Sequence, residues 1–207
     1  MLNQPVARDD CGPTGASELL AICRAVREHL PNDRYRHVLG VARTAERLAR
    51  RYGSSPRKAR VAALIHDIAR MWTADELFDY ARAHDVPISE AERRAPVLLH
   101  SRIGAHIAHD RFGINDADML AAIERHTVAV TGMSDLQKIL YIADTIEPSR
   151  TFAGRATLEQ AADRSLDEGM LACIESSMEH LKSNGIVVAP LTLVLHQQLV
   201  ERREART

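Results

Sequence analysis

Apolar residues recur every three or four positions along almost the whole chain, which is the spacing of helices that bury one face. Runs that alternate apolar and polar residues are missing, apart from the short stretch 185–188. The pattern therefore predicts an all-α protein. A first helix is expected from Ser17 to Leu30, stopped by Pro31. A second begins at Asn32 or Asp33 and ends near Gly53, with Val41, Ala45 and Leu48 on its apolar face. A third starts at about Pro56 and carries ARVAALIHDIA, apolar on all sides and so central and buried. Thr73 and Glu76 form a capping box that opens a helix to His84. Further helices are expected at 96–112 (stopped by Gly113), from Asn115 or Asp116 to His126, and from Ser134 to Pro148. A looser stretch, SRTFAGRATL, follows, and helices at roughly 160–184 and 190–205 close the chain.

Composition narrows the class. The 207 residues suit one domain, read here as 17–207 behind a flexible lead-in at 1–16 that holds Pro5, Gly12, Pro13 and Gly15. With aromatics at only 4%, Ala, Leu, Ile and Val must build the core. A net charge of −1 gives no global attraction to nucleic acid or to an anionic membrane. The N-terminus lacks the charged start and apolar core of a signal peptide, and no apolar run reaches membrane-span length, so the expected location is cytoplasmic. Cys11, Cys23 and Cys173 are odd in number and far apart, which suggests neither a disulfide framework nor a thiolate metal site.

The chemistry lies in histidines that conflict with their surroundings. Three His-Asp dipeptides occur, so the dipeptide alone carries no weight. His84-Asp85 and His109-Asp110 fall in polar surroundings and read as solvated. His66-Asp67 sits in AALIHDIA, where a buried carboxylate needs a cation; a metal is one answer and an Arg or Lys is the other, though ARVAALIHDIA offers none nearby. His37 shares a helical line with Val41, and His100 shares a face with Ile103, Gly104 and Ile107. Asp144 stands four residues after Leu140 and is also pushed inward. His126 ends a helix, where a cation is favourable without any function. Any one of these histidines is ordinary as a hydrogen-bonded core residue; four of them on separate helices with two aspartates is not. Imidazole with carboxylate suits iron, manganese or magnesium and permits zinc. Two such ions sharing a carboxylate would activate water for phosphoryl displacement.

This order of motifs resembles the HD phosphohydrolase superfamily and, more narrowly, the YqeK family of symmetrical bis(5'-nucleosyl)-tetraphosphatases. The segments that carry the resemblance are RYRHVLGV, KARVAALIHDIAR, LLHSRIGA, AAIERHTVAV and MSDLQKILYIADTIEPSR, spread over about residues 18–185. The resemblance implies a helical HD domain that hydrolyses diadenosine tetraphosphate to two ADP with two divalent or trivalent metal ions, iron first and manganese, magnesium or zinc as alternatives. It implies one metal on His37, His66, Asp67 and Asp144, a second on His100 and His126 with Asp67 bridging, and a metal-bound hydroxide as nucleophile, with Asp67 and His66 as catalytic residues. Arg70, Thr127 and Arg150 are the candidate substrate contacts, since Arg suits bidentate binding of phosphate. Trp72, Tyr141 or Phe152 would meet a base. Two departures touch recognition rather than the metal ligands: the family's Thr-Gly after His-Thr reads Val128-Ala129 here, and its usual Lys is Arg70. Another nucleotide substrate, a nucleotide sensor and a siteless helical scaffold are the other readings. Leu191, Val194, Leu195 and Leu199 are spaced for packing within the monomer, or for contact with a second copy in a homodimer.

Overall fold

A computed structural model describes residues 15–205, so nearly all of the expected lead-in, 1–14, lies outside the described residues. Among the described residues there are only helices and turns. They are α1 (Ala16–His29), α2 (Asn32–Arg51), α3 (Pro56–Ile65), α4 (Ala74–Ala83), α5 (Glu90–Arg94), α6 (Leu99–Phe112), α7 (Ala117–Arg125), α8 (Asp135–Ile146), α9 (Arg155–Arg164), α10 (Leu166–Ser183) and α11 (Pro190–Glu204), with a 3-10 turn over Pro96–Leu98. No helix among them is long and apolar enough to cross a membrane.

The caps follow the sequence closely. Ser55, Thr73, Asp116 and Ser134 each accept backbone N–H groups from the first turn they precede, satisfying donors that a helix start otherwise leaves unmade. Gly113 ends α6 in the left-handed conformation at φ 65°, where a side chain would be strained.

Helix α3 is the centre. Val61 through Ile65 are all buried, and α1, α2, α7 and α8 pack around it. Helix α2 also lies along α8, and α7 lies between α6 and α8. The core is aliphatic, as the low aromatic content requires, with Leu48, Leu64, Ile65, Ile103, Ile123, Ile139 and Leu140 among its fully buried side chains. Helices α9, α10 and α11 form an outer layer reached through α8 and α10.

Three expectations need correcting. Helix α3 stops at Ile65, and residues 66–71 continue as tight turns, with Ile68 N–H donating to Ile65 O and Arg70 N–H to Asp67 O. The stretch read as loose is non-helical over 149–154, and α9 starts at Arg155 behind Gly154, earlier than the helix expected at 160–184, which is itself broken at Ser165. That residue is fully extended and caps α10 by accepting from Glu168 N–H. Helix α5 was not foreseen, although Ser89 and Glu92 form a capping box. In α11 the apolar line is divided: Leu195 and Leu199 are buried, whereas Leu191 and Val194 are exposed.

Candidate metal centre

Five helices deliver six side chains to one place. His37 comes from the second turn of α2, and His66 and Asp67 follow the end of α3. His100 opens α6, His126 follows α7, and Asp144 lies in the last turn of α8. The four imidazoles and Asp67 are buried.

The outer ring nitrogens define what the inner ones can do. His66 Nδ1 lies 2.6 Å from Ala63 O, His126 Nδ1 lies 2.7 Å from Ile123 O, and His100 Nδ1 bonds Val97 O. His37 Nδ1 lies 2.9 Å from the buried carboxylate of Glu147. Carbonyl and carboxylate oxygens only accept, so each Nδ1 must carry the proton and donate it. All four Nε2 atoms then point inward as lone pairs unless protonated a second time. Burial, outweighing the nearby carboxylates, pushes the His66 imidazole down to about 4, so its Nε2 is unprotonated at neutral pH.

These nitrogens surround the two carboxylates. Asp67 Oδ2 faces His66 Nε2 at 3.5 Å and His37 Nε2 at 3.7 Å, while Oδ1 faces His100 Nε2 at 3.2 Å and His126 Nε2 at 3.7 Å. Asp144 Oδ1 stands 3.0 Å from His37 Nε2 and 3.9 Å from His66 Nε2. Burial would raise the Asp67 carboxyl, but His66, His100 and His126 hold it well below the usual carboxylate range. Asp144 is likewise held down against its burial by His37, His66 and Arg150.

A cation fits this arrangement better than the protein alone does. His37 Nε2 and His66 Nε2 are buried with no hydrogen-bond partner among the described residues; with the ring protons on Nδ1, their lone pairs face carboxylate oxygens that can only accept. His100 Nε2 and His126 Nε2 stand 3.1 Å apart, with at most one proton to share. Three overlapping triads have their ligand atoms within 4.8 Å of one another: His37, His66 and Asp67; Asp67, His100 and His126; and His66, His126 and Asp144. The donors are imidazole nitrogens and carboxylate oxygens, with no thiolate among the triads.

Two residues of the site were not foreseen. Glu147 fixes His37 and accepts from Ser149 N–H at 2.8 Å. It closes against Gly40, where a Cβ would lie 2.3 Å from Glu147 Oε2, so the glycine is required by that close approach. Arg34 donates to Asp67 Oδ2 at 3.0 Å, which supplies the cation that the sequence around Asp67 lacks. Arg34 lies three residues before His37, and Glu147 three after Asp144, but neither breaks an apolar face, so only proximity to a ligand could have pointed to them.

The expected substrate contacts differ among themselves. Arg150 is tied to the site, donating through Nε to Asp144 O at 3.1 Å and through Nη2 to Asp144 Oδ1 at 2.7 Å. Thr127 Oγ1 bonds Ser101 Oγ at 3.3 Å. Arg70 is half-buried, with no side-chain bond among the described residues. Tyr141 is not available to a base: it is buried, with its hydroxyl 3.5 Å from Ser177 Oγ. Trp72 is half-buried edge-on to Tyr80, and Phe152 is exposed. The other two His-Asp pairs, His84-Asp85 and His109-Asp110, are exposed, as their surroundings suggested.

A helical bundle that gathers histidines and paired aspartates in this way is a metal-dependent hydrolase centre, and the chain belongs to the HD-domain family, whose model matches residues 34–149. Its relatives narrow this to one activity class. It is 33% identical over 175 residues to the symmetrical bis(5'-nucleosyl)-tetraphosphatase of Bacillus subtilis, covering 84% of this chain and 94% of the relative. It is also 33% identical to the enzyme of the same name from Halalkalibacterium halodurans, covering 84% and 93%. Among solved structures it is similar to a "predicted HD superfamily hydrolase involved in NAD metabolism" from Clostridium acetobutylicum, with a TM-score of 0.83 and 34% identity over 89% of this chain and 97% of that one.

Proposed function

We propose that this protein hydrolyses diadenosine tetraphosphate symmetrically, releasing two ADP. The observation that carries the reading is Asp67, whose two oxygens each face a separate pair of inward Nε2 atoms, in a chain matching nearly the full length of symmetrical tetraphosphatases. The middle position of the cut rests on those relatives.

His37, His66, Asp67 and Asp144 would hold one metal ion, and His100 and His126 a second, with Asp67 between them. The donor set suits iron, manganese or magnesium and permits zinc, and the family resemblance puts iron first. Bound there, the metals would supply an activated water and neutralise charge on the phosphoryl oxygens.

The chain's own residues do the rest. The four Nδ1–H bonds hold each imidazole in the one tautomer that leaves Nε2 free. Asp67, among the four imidazoles, is 5% exposed, whereas Asp144 is 21% and Arg150 38% exposed, so the polyphosphate would enter on the side of α8. There Arg150, with Nη1 still free among the described residues, would meet a phosphoryl oxygen, and Arg70 and Thr127 are further candidates at the rim. Water adds to one of the two central phosphorus atoms, the bridging P–O bond breaks, and its electron pair leaves with the second ADP.

The test is to load the purified protein with iron or manganese, add diadenosine tetraphosphate and resolve the products, beside Asp67→Ala. ADP alone, lost in the variant, supports the proposal. ATP with AMP would overturn the cleavage position, and no turnover with any of the four metals would overturn the activity.

A further inference from the structure

Arg34 touches Asp67, the buried carboxylate that lies among all four imidazoles, and the proposed reaction gives it no role. Its Nη1 donates to Asp67 Oδ2, the oxygen that also faces His37 and His66. Among the described residues that is its one polar contact, so Nε and Nη2 are left without a protein partner. Its side chain is 26% exposed where Asp67 is 5%, so the guanidinium bridges the interior of the site and solvent. By contrast, the pairs Arg82 with Asp79 and Arg94 with Glu90 sit on open surface.

Cations beside Asp67 would take over most of the neutralisation that Arg34 provides, and leave a fixed positive charge with free donors at the edge of the site. A guanidinium so placed suits an anion that offers two acceptor oxygens to its fork, as a phosphoryl group does. Arg34 and Arg150 both flank the His37, His66, Asp67 and Asp144 half, and no arginine contacts the His100 and His126 half among the described residues. The positive edge is therefore one-sided.

We infer that Arg34 is a substrate-binding residue that holds a phosphoryl oxygen of the nucleotide, together with Arg150, on the α2 and α8 side of the centre. The inference rests on reading the site as one for nucleotide polyphosphates. It assigns Arg34 to recognition rather than to holding Asp67 in place.

Arg34→Gln removes the charge and the fork, leaving a neutral amide on a side chain two bonds shorter, whereas Arg34→Lys keeps the charge. Metal content by atomic emission and ADP binding by calorimetry would be measured on metal-loaded wild type, Arg34→Gln and Arg34→Lys. Expected are unchanged metal content and ADP binding weakened about tenfold or more in Arg34→Gln, the loss typical of a charged hydrogen bond, with Arg34→Lys intermediate. ADP affinity within about twofold of wild type overturns the inference. So does a loss of ADP binding that follows a loss of metal, since Arg34 would then serve only to hold Asp67. Should Arg34→Gln not fold, Arg34→Lys decides by the same two readouts, because Lys keeps the charge but not the fork. Weaker ADP binding at full metal content in a protein that does not cleave diadenosine tetraphosphate would uphold Arg34 while the proposed activity fell.

Discussion

Glu147 is the residue whose replacement tests the architecture most directly. Its Oε1 accepts from His37 Nδ1 at 2.9 Å and from the Ser149 hydroxyl, and its Oε2 accepts from Ser149 N–H at 2.8 Å. Burial would raise the carboxyl, but the bonds from Ser149 and His37 hold it below its ordinary value. Glu147→Gln must put an amide N–H₂ on one side. Facing Ser149, it opposes a backbone donor near the surface, which water relieves in part. Facing His37, it opposes Nδ1–H and drives the ring to the tautomer that protonates Nε2, the atom needed inside. Glu147→Ala removes every acceptor. A buried donor left unmade costs about 1–3 kcal/mol, and outer partners of metal ligands are worth roughly 10–100-fold in affinity. Glu147→Gln should therefore weaken metal binding about tenfold, and Glu147→Ala up to about a hundredfold. Chelator competition measures this, with circular dichroism confirming the fold. An alanine variant that folds and binds metal as tightly as wild type would refute the claim that Glu147 sets the state of His37.

Gly40→Ala should act through the same contact, since the added Cβ displaces a carboxylate that His37 and Ser149 hold in place; overpacking of this kind costs about 1–3 kcal/mol. In a Glu147→Ala background the same substitution should cost far less, and strictly additive losses in that cycle would exclude the contact. Glu92 accepts from Ser89 N–H at 2.6 Å and from Arg102 Nε at 3.1 Å, and these bonds hold its carboxyl below the ordinary 4.5 despite its burial. A lowered folded pKa gives stability that is present above pH 4.5 and lost as pH falls through the folded value. Glu92→Gln should thus melt below wild type at pH 7, by about 1 kcal/mol, and the gap should narrow in melts taken below pH 4.5; a constant gap would contradict it.

What could be read from the sequence divides along physical lines. Helix existence came through because the apolar spacing is local. Candidate ligands came through because His37, His66 and Asp144 each break an apolar face. Glu147 and Arg34 did not, since an acid and a base among 28 and 27 of their kind show no local conflict. Glu147 is buried only because Gly40 on another helix leaves room, and Arg34 reaches Asp67 only once α2 lies against α3. The break at Ser165 and helix α5 were legible in principle. Ser165 and Glu168 repeat the Ser-x-x-Glu spacing of Ser89 and Glu92, but a continuous apolar period across 160–184 and the shortness of α5 masked them.

The same geometry predicts that the fold does not depend on metal. His66 and His126 stand one residue past α3 and α7, and each ring donates back to a last-turn carbonyl, Ala63 O and Ile123 O, that the helix end leaves unmade. The ligands thus act as helix caps before any cation arrives, and the hydrophobic cluster, which draws on every helix except α5, contains none of the six. Small domains that need metal to fold lack such a core. Here a cation adds only its mass-action share, about 2.7 kcal/mol at a hundredfold excess over its dissociation constant, or roughly 5–11 °C in Tm at this chain length. Stripping with a chelator should leave the helical dichroism at 25 °C intact while lowering Tm by about that amount. Collapse of the helical signal on stripping would mean that the cations hold α3 and α7 in place, and that the Nδ1 bonds follow from metal binding rather than prepare for it.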